Sequence, residues 1–357
     1  MTSRNSPCPC GSGKKFKRCC GALDSGQAGP ATDEPLEALE NAVQAGDMHA
    51  AVRLGLRYLT ARGAPPEPAR GVALIEQAAQ AGDAEGAFLA ATIASSVLWR
   101  AQGWDEAFDY LARAAERGHG RSQSCLRILA GGPSGNTIEG EDWDSLRSAI
   151  DLAAWLAPPE PRMLREQPHI QVIEKFAPPA ACDWLITQAR DRLSRATIYD
   201  KSTGGTTRDG RRTNSQCDLD VENCGVLTFI LRGRIAAITG RPDQAMEIPK
   251  VLHYEPGETF AKHFDYLNPE EPAFANELAV RGQRTDTFLI YLNDDFEGGE
   301  TRFNRIELSN KGAKGDALLF SNVDAAGKPD EDTMHTGMPP TSGQKWLFSQ
   351  WIREYPK

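Results

Sequence analysis

Between residues 34 and 131 the apolar positions return with helical spacing. Leu39, Ile75 and Leu111 stand in phase, and Gly46, Gly82 and Gly118 recur every 36 residues. Each glycine closes an alanine-rich stretch, such as Ala78-Ala79-Gln80-Ala81. Helix, glycine stop and second helix predict a helical-hairpin repeat, whose units bury their faces by stacking on one another. The stretch from Ser95 to Gly103 departs from a regular repeat loop. A linker over 23–33 precedes this region, and a helical linker over 132–160 follows it. From residue 161 onward the pattern changes to short apolar runs between Gly, Pro and Asp turns. Strands are expected over 251–254, 258–263, 284–293, 314–320 and 345–352, with a further extended stretch opened by His335. Short strands with such turns predict an antiparallel sandwich or jelly roll. The chain is therefore expected to be multidomain α+β.

Into the strand pattern the chain sets His263-Phe264-Asp265 and, far downstream, His335 and Lys345. Side chains two apart on a strand share a face, so His263 and Asp265 are expected side by side. A second imidazole from a distant strand completes two His and one carboxylate on one face of a metal. That facial set leaves open positions on ferrous iron. An isolated His-x-Asp is a weak motif, and its weight comes from its surroundings.

Those surroundings resemble the catalytic domain of the prolyl 4-hydroxylase family of Fe(II)/2-oxoglutarate dioxygenases, from about residue 168 to 354. The matching residues include Pro168-His169-Ile170, Phe176, Cys182-Asp183, Arg212-Thr213 and the long helix around Leu231, Arg234 and Ile235. They continue through Tyr254-Glu255-Pro256-Gly257, His263-Phe264-Asp265, Gly298-Gly299-Glu300-Thr301, Gly315-Asp316, His335 and Lys345. The resemblance implies a double-stranded β-helix oxygenase domain over 161–357. It implies that His263, Asp265 and His335 bind Fe(II), and that Lys345 pairs with the distal carboxylate of 2-oxoglutarate. It places Tyr254 against the cosubstrate, Tyr291 in the cosubstrate pocket, and Arg284 and Trp351 near a peptide substrate. It also implies ascorbate binding. The implied reaction hydroxylates a protein or peptide, at proline, with succinate and CO2 as co-products. One position departs from the family: Phe260 stands three residues before the first ligand, where members often carry Tyr. That departure keeps a hydroxylase of free amino acids or small metabolites as an alternative, beside a non-catalytic scaffold. His49, His119, His169 and His253 lack ligand spacing and are expected to be structural.

Near the N-terminus, Cys8, Cys10, Cys19 and Cys20 fall in the spacing C-x-C-x8-C-C. A segment this short builds no core of its own, so a metal is expected to hold it. Four thiolates suit a closed tetrahedral zinc site, with two disulfides as the competing arrangement. The segment resembles the SEC-C motif, assigned to residues 1–22. The repeats over 34–131 resemble the Sel1-like branch of the tetratricopeptide family. Arg4, Lys14, Lys15, Lys17 and Arg18 face no acidic residue in the first twenty. This basic knob suggests docking to a protein or to ribosomal RNA of the translation machinery.

Composition narrows the picture further. The 357 residues are 40% apolar and 25% charged with a net charge of −9, which argues for a globular chain and against general nucleic-acid binding. No apolar run approaches a membrane span and no signal-peptide pattern opens the chain, so a cytoplasmic protein is expected. Cys125, Cys182, Cys217 and Cys224 are expected to be buried and reduced. The polar stretch 201–214 is expected to be a loop able to close over substrate.

Overall fold

Asp47, Asp83 and His119 each follow a repeat glycine, and each starts a helix in the same way. Their side chains accept from the backbone N–H three residues on, in Ala50, Gly86 and Ser122. An Asp cap of this kind contributes about 1 kcal/mol. The preceding glycines hold φ of +90°, +90° and +81°, a conformation that a Cβ disfavours. The 36-residue period thus fixes where each hairpin turns. The structure is a computed structural model that describes residues 34–136, 138–200 and 205–355. The cysteines of the N-terminal motif and residues 201–204 lie outside them.

The described residues form two compact units. The first takes the chain up to Pro158. Its main helices are Leu36–Gln44, Met48–Thr60, Pro68–Gln80, Ala84–Ala94, Trp104–Glu116 and Gly120–Gly131. Leu39, Ile75 and Leu111 are fully buried in it. Small residues let neighbouring helices approach closely: a Cβ on Gly55 would stand 2.8 Å from the Gly71 carbonyl oxygen. The irregular 95–103 loop is tied down by Arg100, which bridges Glu76 and Glu106.

This unit also takes in Asp220–Thr239, which sequence reading had joined to the oxygenase-like region. The helix Gly225–Thr239 is buried on almost every face over its first three turns. Arg234 donates to the Trp155 carbonyl at 2.6 Å, and Trp155 donates to the Leu129 carbonyl at 2.8 Å. Arg62 pairs with both Asp220 and Glu222 at 2.7 Å.

The second unit runs from Pro159 to Leu219 and from Gly240 onward. Its strands are β1 (Arg162–Arg165), β2 (Ile170–Ile173), β3 (Ser194–Arg195), β4 (Ile198–Asp200), β5 (Gly205–Thr207), β6 (Ser215–Asp218), β7 (Lys250–Tyr254) and β8 (Phe260–His263). They continue with β9 (Arg284–Tyr291), β10 (Glu297–Gly298), β11 (Thr301–Phe303), β12 (Leu308–Asn310), β13 (Ala317–Ser321), β14 (His335–Gly337), β15 (Pro340–Ser342) and β16 (Lys345–Arg353). An eight-stranded sheet has the order β1-β2-β13-β9-β16-β7-β6-β3, and a four-stranded sheet has the order β12-β11-β14-β8. Every pairing is antiparallel. The two sheets share one core that includes Leu252, Tyr254, Leu289, Phe303, Phe320 and Leu347. Phe303 of the small sheet meets Phe320 of the large one edge to face, with centroids 5.1 Å apart.

The expected loop over 201–214 is largely structured where it is described. β5 pairs with β4. Arg212 and Asn214 are buried, and Thr213 N donates to the Thr259 carbonyl at 2.8 Å. Backbone pairing in this polar segment, invisible to an apolar pattern, holds it against β8. Cys125, Cys182, Cys217 and Cys224 are buried thiols, outside any disulfide among the described residues. No described helix is long and apolar enough to cross a membrane.

Candidate active site

β8 carries Phe260 to His263 and stops. Asp265 sits in the bend that follows, not on the strand as expected. Gln283 clamps this bend, accepting from Leu267 N at 2.6 Å and donating to Leu267 O at 2.7 Å. β14 pairs with β8 so that His335 lies directly across from His263. Cross-strand register, and not periodicity along one strand, brings the imidazoles together, with ring centroids 4.2 Å apart. Asp265 Oδ1 lies 3.5 Å from His263 Nε2, and Oδ2 lies 3.7 Å from His335 Nε2.

The donor atoms suit a divalent metal. His263 Nδ1 donates to the Ala261 carbonyl at 2.8 Å, and His335 Nδ1 donates to the Thr333 carbonyl at 2.9 Å. Each bond fixes the tautomer and turns an Nε2 lone pair toward the cluster. Burial, aided by the neighbouring His263, pushes His335 down to about 4, so the ring is neutral and able to ligate near pH 7. Burial works against a charge on Asp265. The facing imidazoles and the Thr287 hydroxyl outweigh it and hold the carboxyl well below the usual range. Two imidazoles and one carboxylate are the donor set of a facial iron site.

Lys345 opens β16 opposite Tyr254 of β7. It is 0% exposed, and its Nζ finds no acceptor among the described residues. Burial pushes its pKa down to about 7, partly countered by Glu300. An unpaired buried cation is costly unless something anionic joins it. It lines the same cavity as His263, Asp265, His335 and Tyr254. The residues present therefore fit a metal and, in the same cavity, a carboxylate-bearing molecule. Tyr254 is buried, which pushes its hydroxyl up to about 12, so it meets such a molecule as a neutral phenol.

The cavity adjoins an open cleft of about 1260 Å³. Phe260, Phe264, Tyr266, Phe274 and Trp351 line it. Trp351 has a buried Nε1 with no acceptor among the described residues. Arg284 also lines the cleft, but its fork is already held. It makes a two-pronged pair with Glu247 at 2.7 and 3.1 Å and stacks on Trp351 at 3.7 Å. Arg284 thereby braces Trp351, and its Nη1 lies 3.4 Å from the Asp265 carbonyl. Tyr291 is fully buried in the same core cluster as Tyr254. Its hydroxyl donates to the Asn310 carbonyl at 2.8 Å and lies 3.3 Å from Oγ1 of Thr301, a residue that lines the cavity.

Phe260 stacks face to face on His263, with centroids 3.4 Å apart and 11° between the planes. On its other side stands the guanidinium of Arg212 at 4.3 Å. Sequence reading gave Arg212 no role. The structure buries it at the boundary between cavity and cleft, donating to Asn214 Oδ1 at 3.2 Å and to the Thr197 carbonyl at 3.1 Å. His253 points the other way and packs on Trp346 at 4.3 Å, outside the cavity.

Fold and site together define an oxygenase that uses Fe(II) and 2-oxoglutarate. The model of the 2OG-Fe(II) oxygenase superfamily matches residues 249–353, and that of the SEC-C motif matches residues 4–22. Prolyl 4-hydroxylase 1 of Arabidopsis thaliana is 34% identical over 209 residues, covering 55% of this chain and 72% of that protein. Prolyl 4-hydroxylase 2 of the same plant is 30% identical over 226 residues, covering 55% of this chain and 70% of that protein. Among solved structures, the viral collagen prolyl hydroxylase of Paramecium Bursaria Chlorella virus-1 in its 2OG complex has a TM-score of 0.40 at 23% identity, covering 52% of this chain and 96% of that one. The chain belongs to the prolyl 4-hydroxylase family of 2OG-Fe(II) oxygenases.

Proposed function

We propose that this dioxygenase hydroxylates prolyl residues in a protein or peptide. The observation that carries the cosubstrate half is Lys345: a buried ammonium without a partner, facing the cavity that holds His263, Asp265 and His335. A dicarboxylate could chelate a metal at the triad with one end and pair with Lys345 through the other. When bound, iron and 2-oxoglutarate supply the oxidising power. One oxygen atom of O2 ends in succinate as CO2 leaves, and the other ends in the new hydroxyl. The protein's part is to orient both and to exclude water. His263, Asp265 and His335 hold the metal, Lys345 and Tyr254 hold the cosubstrate, and Phe260 and Arg212 wall the cavity from the cleft.

The substrate half rests on two supports. The relatives are prolyl 4-hydroxylases by name. The cleft is open and aromatic, a surface on which an extended chain with proline can lie. Purified protein supplied with Fe(II), 2-oxoglutarate and proline-containing peptides should add one oxygen atom to proline, read by tandem mass spectrometry. Turnover with free amino acids and none with any peptide would favour the alternative that Phe260 keeps in play.

We assign Cys8, Cys10, Cys19 and Cys20 to a structural zinc site and the basic knob around them to docking on a protein or on ribosomal RNA. The match of residues 4–22 to the SEC-C motif supports this. The Sel1-like assignment of the helical unit rests on its period, and ascorbate on the family likeness. The purified chain should carry about one zinc that resists mild exchange. Deleting residues 1–21 should leave uncoupled 2-oxoglutarate turnover within about twofold, because the second unit has its own core and ligands. It should weaken modification of the natural target. Loss of turnover itself on truncation would contradict the assignment.

A further inference from the structure

Asn322 follows β13 and is fully buried. Its Nδ2 donates to Thr287 Oγ1 at 3.0 Å, while its Oδ1 finds no donor among the described residues. A buried acceptor left unsatisfied is costly, and an apolar residue of similar volume would avoid the cost. The position calls for another explanation than packing. Thr287 lies on β9, 1% exposed, and donates in turn to Asp265 Oδ2 at 2.7 Å. A hydroxyl has one proton to give, and a carboxylate only accepts. Thr287 must therefore donate to Asp265 and accept from Asn322, which forces the orientation of the amide.

The backbone of Asn322 serves the other side of the cluster. Its carbonyl accepts from Asp330 N at 3.0 Å. Asp330 caps the turn Glu331–Thr333, and the Thr333 carbonyl takes the Nδ1 proton of His335 at 2.9 Å. One buried residue is thus tied by its side chain to Asp265 and by its main chain to the turn that orients His335. We propose that Asn322, acting through Thr287, is a positioning residue that holds the Asp265 carboxylate in register with the two imidazoles, so that the ligand set is formed before an ion arrives.

This inference rests on the reading of His263, Asp265 and His335 as metal ligands. The test is anaerobic calorimetry of Fe(II) binding to the full chain, with the visible absorption of bound Co(II) as a second readout. Asn322→Leu and Thr287→Val should each weaken ion binding about tenfold or more, the range typical of outer-sphere partners. The double variant should be no weaker than Thr287→Val alone, because the two residues act in series. Thr287→Ser should restore affinity, since it returns the hydroxyl, and it keeps the test intact if Asn322→Leu folds poorly. The melting temperature of the metal-free Asn322→Leu protein should not fall. Affinity within twofold of wild type in both single variants, additive losses, or no recovery with Ser would overturn the relay. Wild-type protein that bound no ion would instead sink the site reading, and the proposal with it.

Discussion

His335→Gln should abolish succinate formation while leaving the fold intact. Gln keeps most of the side-chain volume in a position packed against Phe303, Phe320 and His263, so the core between the sheets stays filled. What it loses is the neutral Nε2 that burial keeps available, with a pKa near 4. Changes to outer-sphere partners cost about 10–100-fold in metal affinity, so loss of a ligand should cost more than about a hundredfold. Turnover should drop to background. Anaerobic Fe(II) titration and succinate analysis check the two halves separately. Fe(II) binding within a few-fold of wild type would remove His335 from the ligand set.

Lys345→Met should have two opposite effects. Cosubstrate binding loses a charge-assisted pair worth roughly 1.5–3 kcal/mol, so the 2-oxoglutarate requirement should rise about ten- to a hundredfold with Fe(II) affinity unchanged. The cosubstrate-free protein should become more stable, because a buried unpaired ammonium is replaced by a flexible apolar chain. The pH dependence gives an independent sign. Burial lowers the folded-state pKa of Lys345 from 10.5 to about 7, so between those values the unfolded chain binds more protons. The stability of the wild-type protein should rise with pH across that window, by at most about 1.4 kcal/mol per unit. The Met variant should lack that contribution. For the same reason, wild-type 2-oxoglutarate binding above pH 7 should take up a proton and weaken as pH rises. Equal losses of Fe(II) and 2-oxoglutarate affinity would mean that Lys345 is structural.

Much of this was legible in the sequence because it is written in local terms. The 36-residue period reports turns that need glycine, and those turns stand at Gly46, Gly82 and Gly118 with positive φ. The apolar runs over 251–254, 284–293 and 345–352 became β7, β9 and β16, strands buried along most of their length. What escaped depends on partners far along the chain. Arg284 is held by Glu247, and Tyr291 by the Asn310 carbonyl; neither spacing carries a motif. Asp265 lies past the end of β8, in a bend whose exit at Leu267 is held by Gln283, sixteen residues further on. The helix Gly225–Thr239 is apolar on most faces, so its sequence gives no direction from which to tell which unit it joins. Thr287, in the middle of β9, and Asn322, just past β13, look like ordinary polar residues until their hydrogen bonds are traced to Asp265.

The most direct measurement adds 2-oxoglutarate anaerobically to the Fe(II)-loaded protein and follows the visible absorption that appears when a 2-oxo acid chelates ferrous iron. Wild type should develop the band with one equivalent of iron and saturate it at low 2-oxoglutarate. Lys345→Met should reach the same amplitude only at about ten- to a hundredfold higher concentration, and His335→Gln should give no band. A wild-type protein that binds iron yet shows no band, or a Lys345→Met titration that overlays the wild type, would contradict the site as described.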